Sequence, residues 1–206
     1  SSGKSSTARL IAGLLQVTAG ATLLAGVGHP DSVDPRNALA CELLGLRAAH
    51  RHAVFELATR RRGDVARLAA MCEPDVGLVT LIGTAHAEGV GSLDDVADEK
   101  GELLEAVPRD GLVAFNHDDV RACAVVGRSH ARRRVSWGYE PGADYRVRAR
   151  TPLGLDGSRI LLATPHAQLE VHTPAIGRSG ALSVAAAVAT VETLVGADLV
   201  LGARPT

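Results

Sequence analysis

VGLVTLIGTAHAEGVGSLDDVADEKGELLEAVPRDGLVAFN, residues 76–116, decides the fold class. It opens with the continuous apolar run VGLVTLIG (76–83), the pattern of a strand buried on both faces. The polar loop TAHAEGVG follows. Ser92, with Asp95 three residues on, makes a capping box that opens a helix through about Val107. GLVAFN (111–116) is a second apolar strand. Strand, helix and strand at this spacing form a parallel crossover unit.

The pattern extends upstream. HAVFEL (52–57) is a short apolar strand ending in a glutamate, and residues 62–72 suit a helix. ATLLAG (21–26) reads as a strand. GHPDSVDP (28–35) is a turn-rich loop in which Asp34 or a neighbour caps a helix to about Leu46. Downstream, RVSWG, YRVRAR, RILLAT and LEVHT are short and alternating, with Gly/Pro turns between them, as in a small antiparallel sheet at one edge. Ser179 to Val195 forms an Ala/Val-rich helix with almost no polar face, hence a buried one. The expected class is α/β: a doubly wound, mostly parallel sheet with a small antiparallel sheet in the last third. No repeat or long linker divides residues 1–206, so they read as one domain with a β-rich appendage.

Composition limits the function. Hydrophobic residues make up 46% of the 206 and charged residues 22%, which excludes a disordered chain. A net charge of −1 argues against nucleic-acid binding through bulk basicity. No window approaches 18 uninterrupted apolar residues, so no membrane span is expected. Cys41, Cys72 and Cys123 are widely spaced and lack a CxxC pair, which fits a reducing, cytoplasmic setting without a disulfide framework. Twenty arginines stand against two lysines, Lys4 and Lys100. That imbalance singles out two positions where a compact ammonium, or an amine able to lose its proton, matters.

Lys4 sits in SSGKSSTARLIAGLL (1–15), the second half of a phosphate-binding loop running into an amphipathic helix. The pattern's first glycine and its preceding strand would lie before Ser1. Backbone N–H groups after Gly3 and the helix N-terminus would cradle phosphate oxygens, with Ser6 in that turn. Lys4 would reach the β/γ-phosphates and the Ser5 hydroxyl would ligate Mg²⁺. In an open α/β sheet ligands bind at the carboxyl ends of strands. Glu56 closes its strand there, and His86 lies just past its own. Taken singly, Glu56 reads as a solvated strand-end charge and His86 as a loop histidine satisfied by backbone. Beside the phosphate loop, the pair reads as ligands for a nucleotide-bound metal.

GKSSTARLIAGLL, AVFELA and the block from Gly63 to Asp119, with its PDVGLVTLIGTAHAEGVGSLDDVADEKGE string, resemble the central ATPase domain of the Mur ligases, nearest their D-alanyl-D-alanine-adding (MurF) type. GADYRVRA and HTPAIGRSGALSVAAAVATVETLVGA extend the likeness over nearly the whole chain. The resemblance implies an ATP-dependent amide ligase of peptidoglycan precursor synthesis, acting on small molecules: a carboxylate accepts the γ-phosphoryl group and an amine attacks the acyl phosphate. It implies that Lys4 holds phosphates, that Ser5 and Glu56 bind Mg²⁺, and that His86 and a carbamylated Lys100 hold a second Mg²⁺. It also implies flanking N- and C-terminal domains.

Several positions depart from the family pattern. Leu81 replaces an asparagine, and Arg60, Arg61 and Arg62 stand where small residues are usual. Those arginines read as a solvated helix start or as an anion contact. Gly180 and Ser183 replace two asparagines that contact adenine in the family. These departures leave a second reading, a diverged Mur-type ligase of another pathway, and a third, a non-catalytic Mur-like module. His117, Asp118 and Asp119 read as a loop or helix cap rather than a metal cluster. Trp137 and Tyr139 read as sheet-edge packing, with base stacking as the alternative.

Overall fold

The computed structural model describes residues 3–18, 20, 22–25, 34–58, 61–83 and 90–196. Strands and helices alternate through the first two thirds as α1 (Lys4–Thr18), β1 (Thr22–Ala25), α2 (Pro35–Leu43), β2 (His52–Phe55), α3 (Asp64–Cys72), β3 (Val76–Val79), α4 (Leu93–Ala106), β4 (Leu112–Asn116) and α5 (Val120–Val126). Four strands then run in succession: β5 (Arg133–Gly138), β6 (Tyr145–Pro152), β7 (Ser158–Ala163) and β8 (Gln168–Thr173). The long α6 (Gly177–Val195) closes the series.

The helix starts follow from local chemistry. Asp34 caps α2 by accepting from the Arg36 N–H at 2.9 Å, with Pro35 at the first helical position. Ser92 and Asp95 form the expected reciprocal capping box on α4.

β1 and β2 pair in parallel, and β3 to β8 form a second sheet in sequential order. Within it β3, β4, β5 and β6 are parallel neighbours, while β6, β7 and β8 are antiparallel. This corrects the expectation for RVSWG (134–138). It belongs to the parallel part, with Leu112 opposite Arg133 and Asn116 opposite Trp137. Four successive buried residues, Val135 to Gly138, give the physical reason, because both faces of that strand are covered.

Period-two alternation along β4 splits the interior into two cores. Leu112 and Ala114 join Ile11 and Leu15 of α1 and the alanine-rich side of α6. Val113 joins Val96 and Leu104 of α4 and Ala122 and Val125 of α5. Helices therefore cover both faces, as a doubly wound sheet requires. Trp137 is 1% exposed within the α1/α6 core, which assigns it to packing. Among the described helices α6 alone is long and apolar enough to cross a bilayer, yet 67% of that window is buried inside the protein, as in a core helix.

Candidate active site

The phosphate-loop turn is built where α1 meets α6. Gly3 has φ +73°, a left-handed conformation that favours glycine. Its carbonyl accepts from the Thr7 N–H at 2.9 Å, so the first helical turn starts there. A Cβ on Gly3 would stand 3.0 Å from the Ser183 hydroxyl and 3.3 Å from that of Ser179. The Ser183 hydroxyl also donates to the Gly3 carbonyl at 3.5 Å. The first turn of α6 thus braces the loop from behind.

Lys4 and Ser5 follow, and both face Glu56 at the carboxyl end of β2. The Ser5 hydroxyl donates to Glu56 Oε2 at 2.6 Å, and Lys4 Nζ lies 4.0 Å from Glu56 Oε1. Lys100, on α4, donates from Nζ to the Leu81 carbonyl. Burial first, then the nearby Lys4 ammonium, push the Lys100 amine down to about 8, with Asp119 opposing them. Lys4, Glu56, Thr80, Leu81 and Lys100 share one cavity of about 610 Å³. Its walls also carry Thr7, whose hydroxyl is buried and has no hydrogen-bond partner among the described residues.

The segment leaving β3 is held rather than loose. Asn116 Nδ2 donates to the Thr80 carbonyl at 3.1 Å, and Asp119 Oδ2 accepts from the Ile82 N–H at 2.6 Å. Asp119 also caps α5 through the Arg121 and Ala122 N–H groups. On the far side, Glu99 is 3% exposed and caps α3, accepting from Gly63 N–H at 2.7 Å and Val65 N–H at 2.9 Å. These contacts fix the rotation of α4 that carries Lys100 into the cavity.

Of the residues marked by sequence, Gly3, Lys4, Ser5, Glu56 and Lys100 converge. Ser6 is exposed on α1. His86 and Arg60 lie outside the described residues. Arg62 pairs with Asp95 at 2.8 Å, near the start of α4. Leu81 contributes its backbone carbonyl rather than its side chain. Asp119 is a helix cap, as expected. Two supports escaped sequence reading: Asn116 as the anchor of the β3 exit, and Glu99 as the α3 cap. A carboxylate at a buried position of an amphipathic helix was the signal for Glu99.

The donor set fits a hard divalent cation beside phosphate: one hydroxyl and one carboxylate already in contact, with an ammonium next to them. Among the described residues no group of three His, Cys, Asp or Glu side chains forms a ready cage. Mg²⁺ takes one or two carboxylates and completes its shell with phosphate and water.

A glycine–lysine–serine turn opening a helix against a parallel sheet, with a carboxylate at a neighbouring strand end, defines a phosphate-loop α/β domain. The chain belongs to the Mur ligase middle domain family, whose model matches residues 1–191. It is 30% identical over 204 residues to the UDP-N-acetylmuramoyl-tripeptide–D-alanyl-D-alanine ligase of Escherichia coli K12, covering 97% of this chain and 43% of that one. The crystal structure of MurF from Acinetobacter baumannii superposes with a TM-score of 0.85 at 22% identity, over 97% of this chain and 42% of that one. MurF ligase from Thermotoga maritima, solved in complex with ADP, gives 0.82 at 22% identity over 100% and 47%. These two likenesses fix the fold. The chain spans less than half the length of these relatives.

Proposed function

We propose that the protein is an ATP-dependent amide ligase that activates a carboxylate as an acyl phosphate for attack by an amine, in peptidoglycan precursor synthesis. The observation that carries this reading is that Lys4, Glu56 and Lys100 line one cavity, with the Ser5 hydroxyl hydrogen-bonded to Glu56. Lys4 and the first amides of α1 bind the β/γ-phosphates. Ser5 and Glu56 hold Mg²⁺, which when bound neutralises phosphate charge and withdraws electrons from the transferred group.

Lys100 takes a different part. With its amine at about 8, roughly a tenth of it is neutral at pH 7, which is what reaction with CO₂ needs. An arginine there would stay protonated. Such a carbamate, with His86, would hold a second Mg²⁺. Flanking domains supply the remaining substrate contacts, in keeping with the greater length of the relatives. The free thiols Cys41, Cys72 and Cys123 accord with a cytoplasmic setting.

ADP release by the full-length protein, measured with UDP-N-acetylmuramoyl-tripeptide and D-alanyl-D-alanine, tests the reading. Release that needs both substrates and Mg²⁺ is the expected result. Gly180 and Ser183 favour the second reading, a diverged ligase, and ADP release only with a different acid and amine would establish it. No nucleotide turnover with any such pair would refute both.

A further inference from the structure

Asn116 and Asp119 stand outside the phosphate and metal machinery, yet both reach the backbone that meets Lys100. β4 parts from β3 at its carboxyl end. The last register pair between them is Val79 with Phe115, and β4 goes on to set Asn116 opposite Trp137 of β5. Two side chains then take over from the ladder. Asn116 Nδ2 donates to the Thr80 carbonyl, and Asp119 Oδ2 accepts from the Ile82 N–H. A carbonyl and the N–H two residues on are the groups a neighbouring parallel strand would engage, because backbone polar groups alternate sides along an extended chain. The two side chains thus make one more rung.

Both ends of that rung are anchored. Asn116 is 4% exposed, and its Oδ1 accepts from the Asp118 N–H at 3.0 Å. Asp119 divides its carboxylate: Oδ1 accepts from the Arg121 and Ala122 N–H groups of α5, which leaves Oδ2 for Ile82. With Thr80 and Ile82 turned towards β4, the same alternation turns the intervening Leu81 carbonyl the other way, and there it accepts from Lys100 Nζ. Three successive residues are therefore held from two sides, by the Asn116–Asp119 pair and by the lysine.

The Leu81 carbonyl keeps its use after the lysine reacts. An amine that adds to CO₂ loses one proton to solvent and keeps a single N–H on the carbamate nitrogen. That N–H can still donate to Leu81, which fixes the nitrogen and with it the direction of the two new oxygens. A flexible four-carbon stem needs such a stop if its tip is to serve as a ligand, and groups behind a ligand commonly supply it.

We propose that Asp119, together with Asn116, is a positioning residue: the pair aims the Leu81 carbonyl that holds the Lys100 nitrogen, and so sets where a carbamate on that nitrogen stands. The inference rests on the reading of Lys100 above and names the residues that place it.

Carbon-13 NMR of the full-length protein, titrated with labelled bicarbonate in the presence of Mg²⁺, tests it. The carbamate carbonyl resonance that Lys100→Met removes reports the modified fraction. Asp119→Asn keeps an oxygen for the α5 cap but turns an amide nitrogen, itself a donor, towards the Ile82 N–H. The bicarbonate concentration for half-modification should rise about threefold to tenfold, the worth of one hydrogen bond. Asn116→Ser, too short to reach Thr80, should act in the same direction. Tripolyphosphate affinity, measured by calorimetry and reporting Lys4 and the α1 turn, should stay within about twofold in both. Should Asp119→Asn fail to fold, Asp119→Ser, a good helix cap that also stops short of Ile82, takes its place. An unchanged bicarbonate midpoint in these variants would overturn the proposal. So would a parallel loss of tripolyphosphate binding, which would make Asp119 a general support of the fold. A wild-type protein with no Lys100-dependent resonance would instead overturn the reading of Lys100 as a carbamate-forming residue, and this assignment with it.

Discussion

Replacing Lys100 with methionine should make the protein more stable and leave it inactive. The Lys100 amine falls from the ordinary 10.5 to about 8, chiefly through burial and then through the Lys4 ammonium. Holding the charged form inside the fold therefore costs about 3 kcal/mol. Methionine has a similar length and no charge, but it gives up the hydrogen bond to the Leu81 carbonyl, worth about 1 kcal/mol. The net expectation at pH 7 is a gain of about 2 kcal/mol. The sign of the pH dependence is fixed by the direction of the shift. Below about pH 8 the lysine is protonated in both folded and unfolded protein, and the full penalty applies. Between about 8 and 10.5 the unfolded chain binds more protons, so wild-type stability rises with pH and the advantage of Lys100→Met fades. Urea unfolding at pH 7, 9 and 10.5 measures this, with an expected midpoint increase of about 1 M at pH 7 shrinking towards zero. A Lys100→Met protein that is less stable at pH 7, or whose difference from wild type is the same at all three pH values, would refute the account of this lysine as a strained charge.

Three further outcomes are expected. Glu56→Gln keeps an oxygen that can accept from the Ser5 hydroxyl but removes the negative charge of a hard ligand, and should lower ADP release at least about a hundredfold, with partial recovery at high Mg²⁺. Gly3→Ala forces a side chain into a φ of +73° and within 3.0 Å of the Ser183 hydroxyl; a loss of about 1–2 kcal/mol in urea unfolding and weaker tripolyphosphate binding should follow. Glu99→Ala leaves the Gly63 and Val65 N–H groups without their carboxylate and should cost about 3 kcal/mol, seen as a thermal midpoint lower by about 6–12 °C.

Much of the architecture was legible because it is written in local chemistry. The capping box at Ser92 and Asp95 and the apolar runs ending at Phe55 and Asn116 are short-range signals, and each yields the element expected. The carboxyl ends of strands then locate the Lys4–Ser5–Glu56 group without any knowledge of contacts. Strand direction was less legible, since alternation along RVSWG is compatible with either sense. Only its neighbours, β4 on one side and β6 on the other, make it parallel. The seven-residue α5 is too short to show a period, so its existence rests on the Asp119 cap. Strand β3 ends at Val79 although the apolar run continues to Ile82, because Asn116, Asp119 and Lys100 each draw the Thr80–Ile82 backbone away. Contacts across more than thirty residues of sequence name no partner locally: a carboxylate on the buried side of α4 marks Glu99, but nothing near it in sequence points to the start of α3.

The cavity wall changes ownership across its width. Glu56 belongs to the small β1–β2 pair, whereas Lys100 is borne by a helix seated on the six-stranded sheet, and no backbone ladder among the described strands joins the two. Whatever bridges that carboxylate and that amine works as a keystone between separately laid courses. Its arrival should stiffen the seam and slow amide exchange along β2 and β3 together.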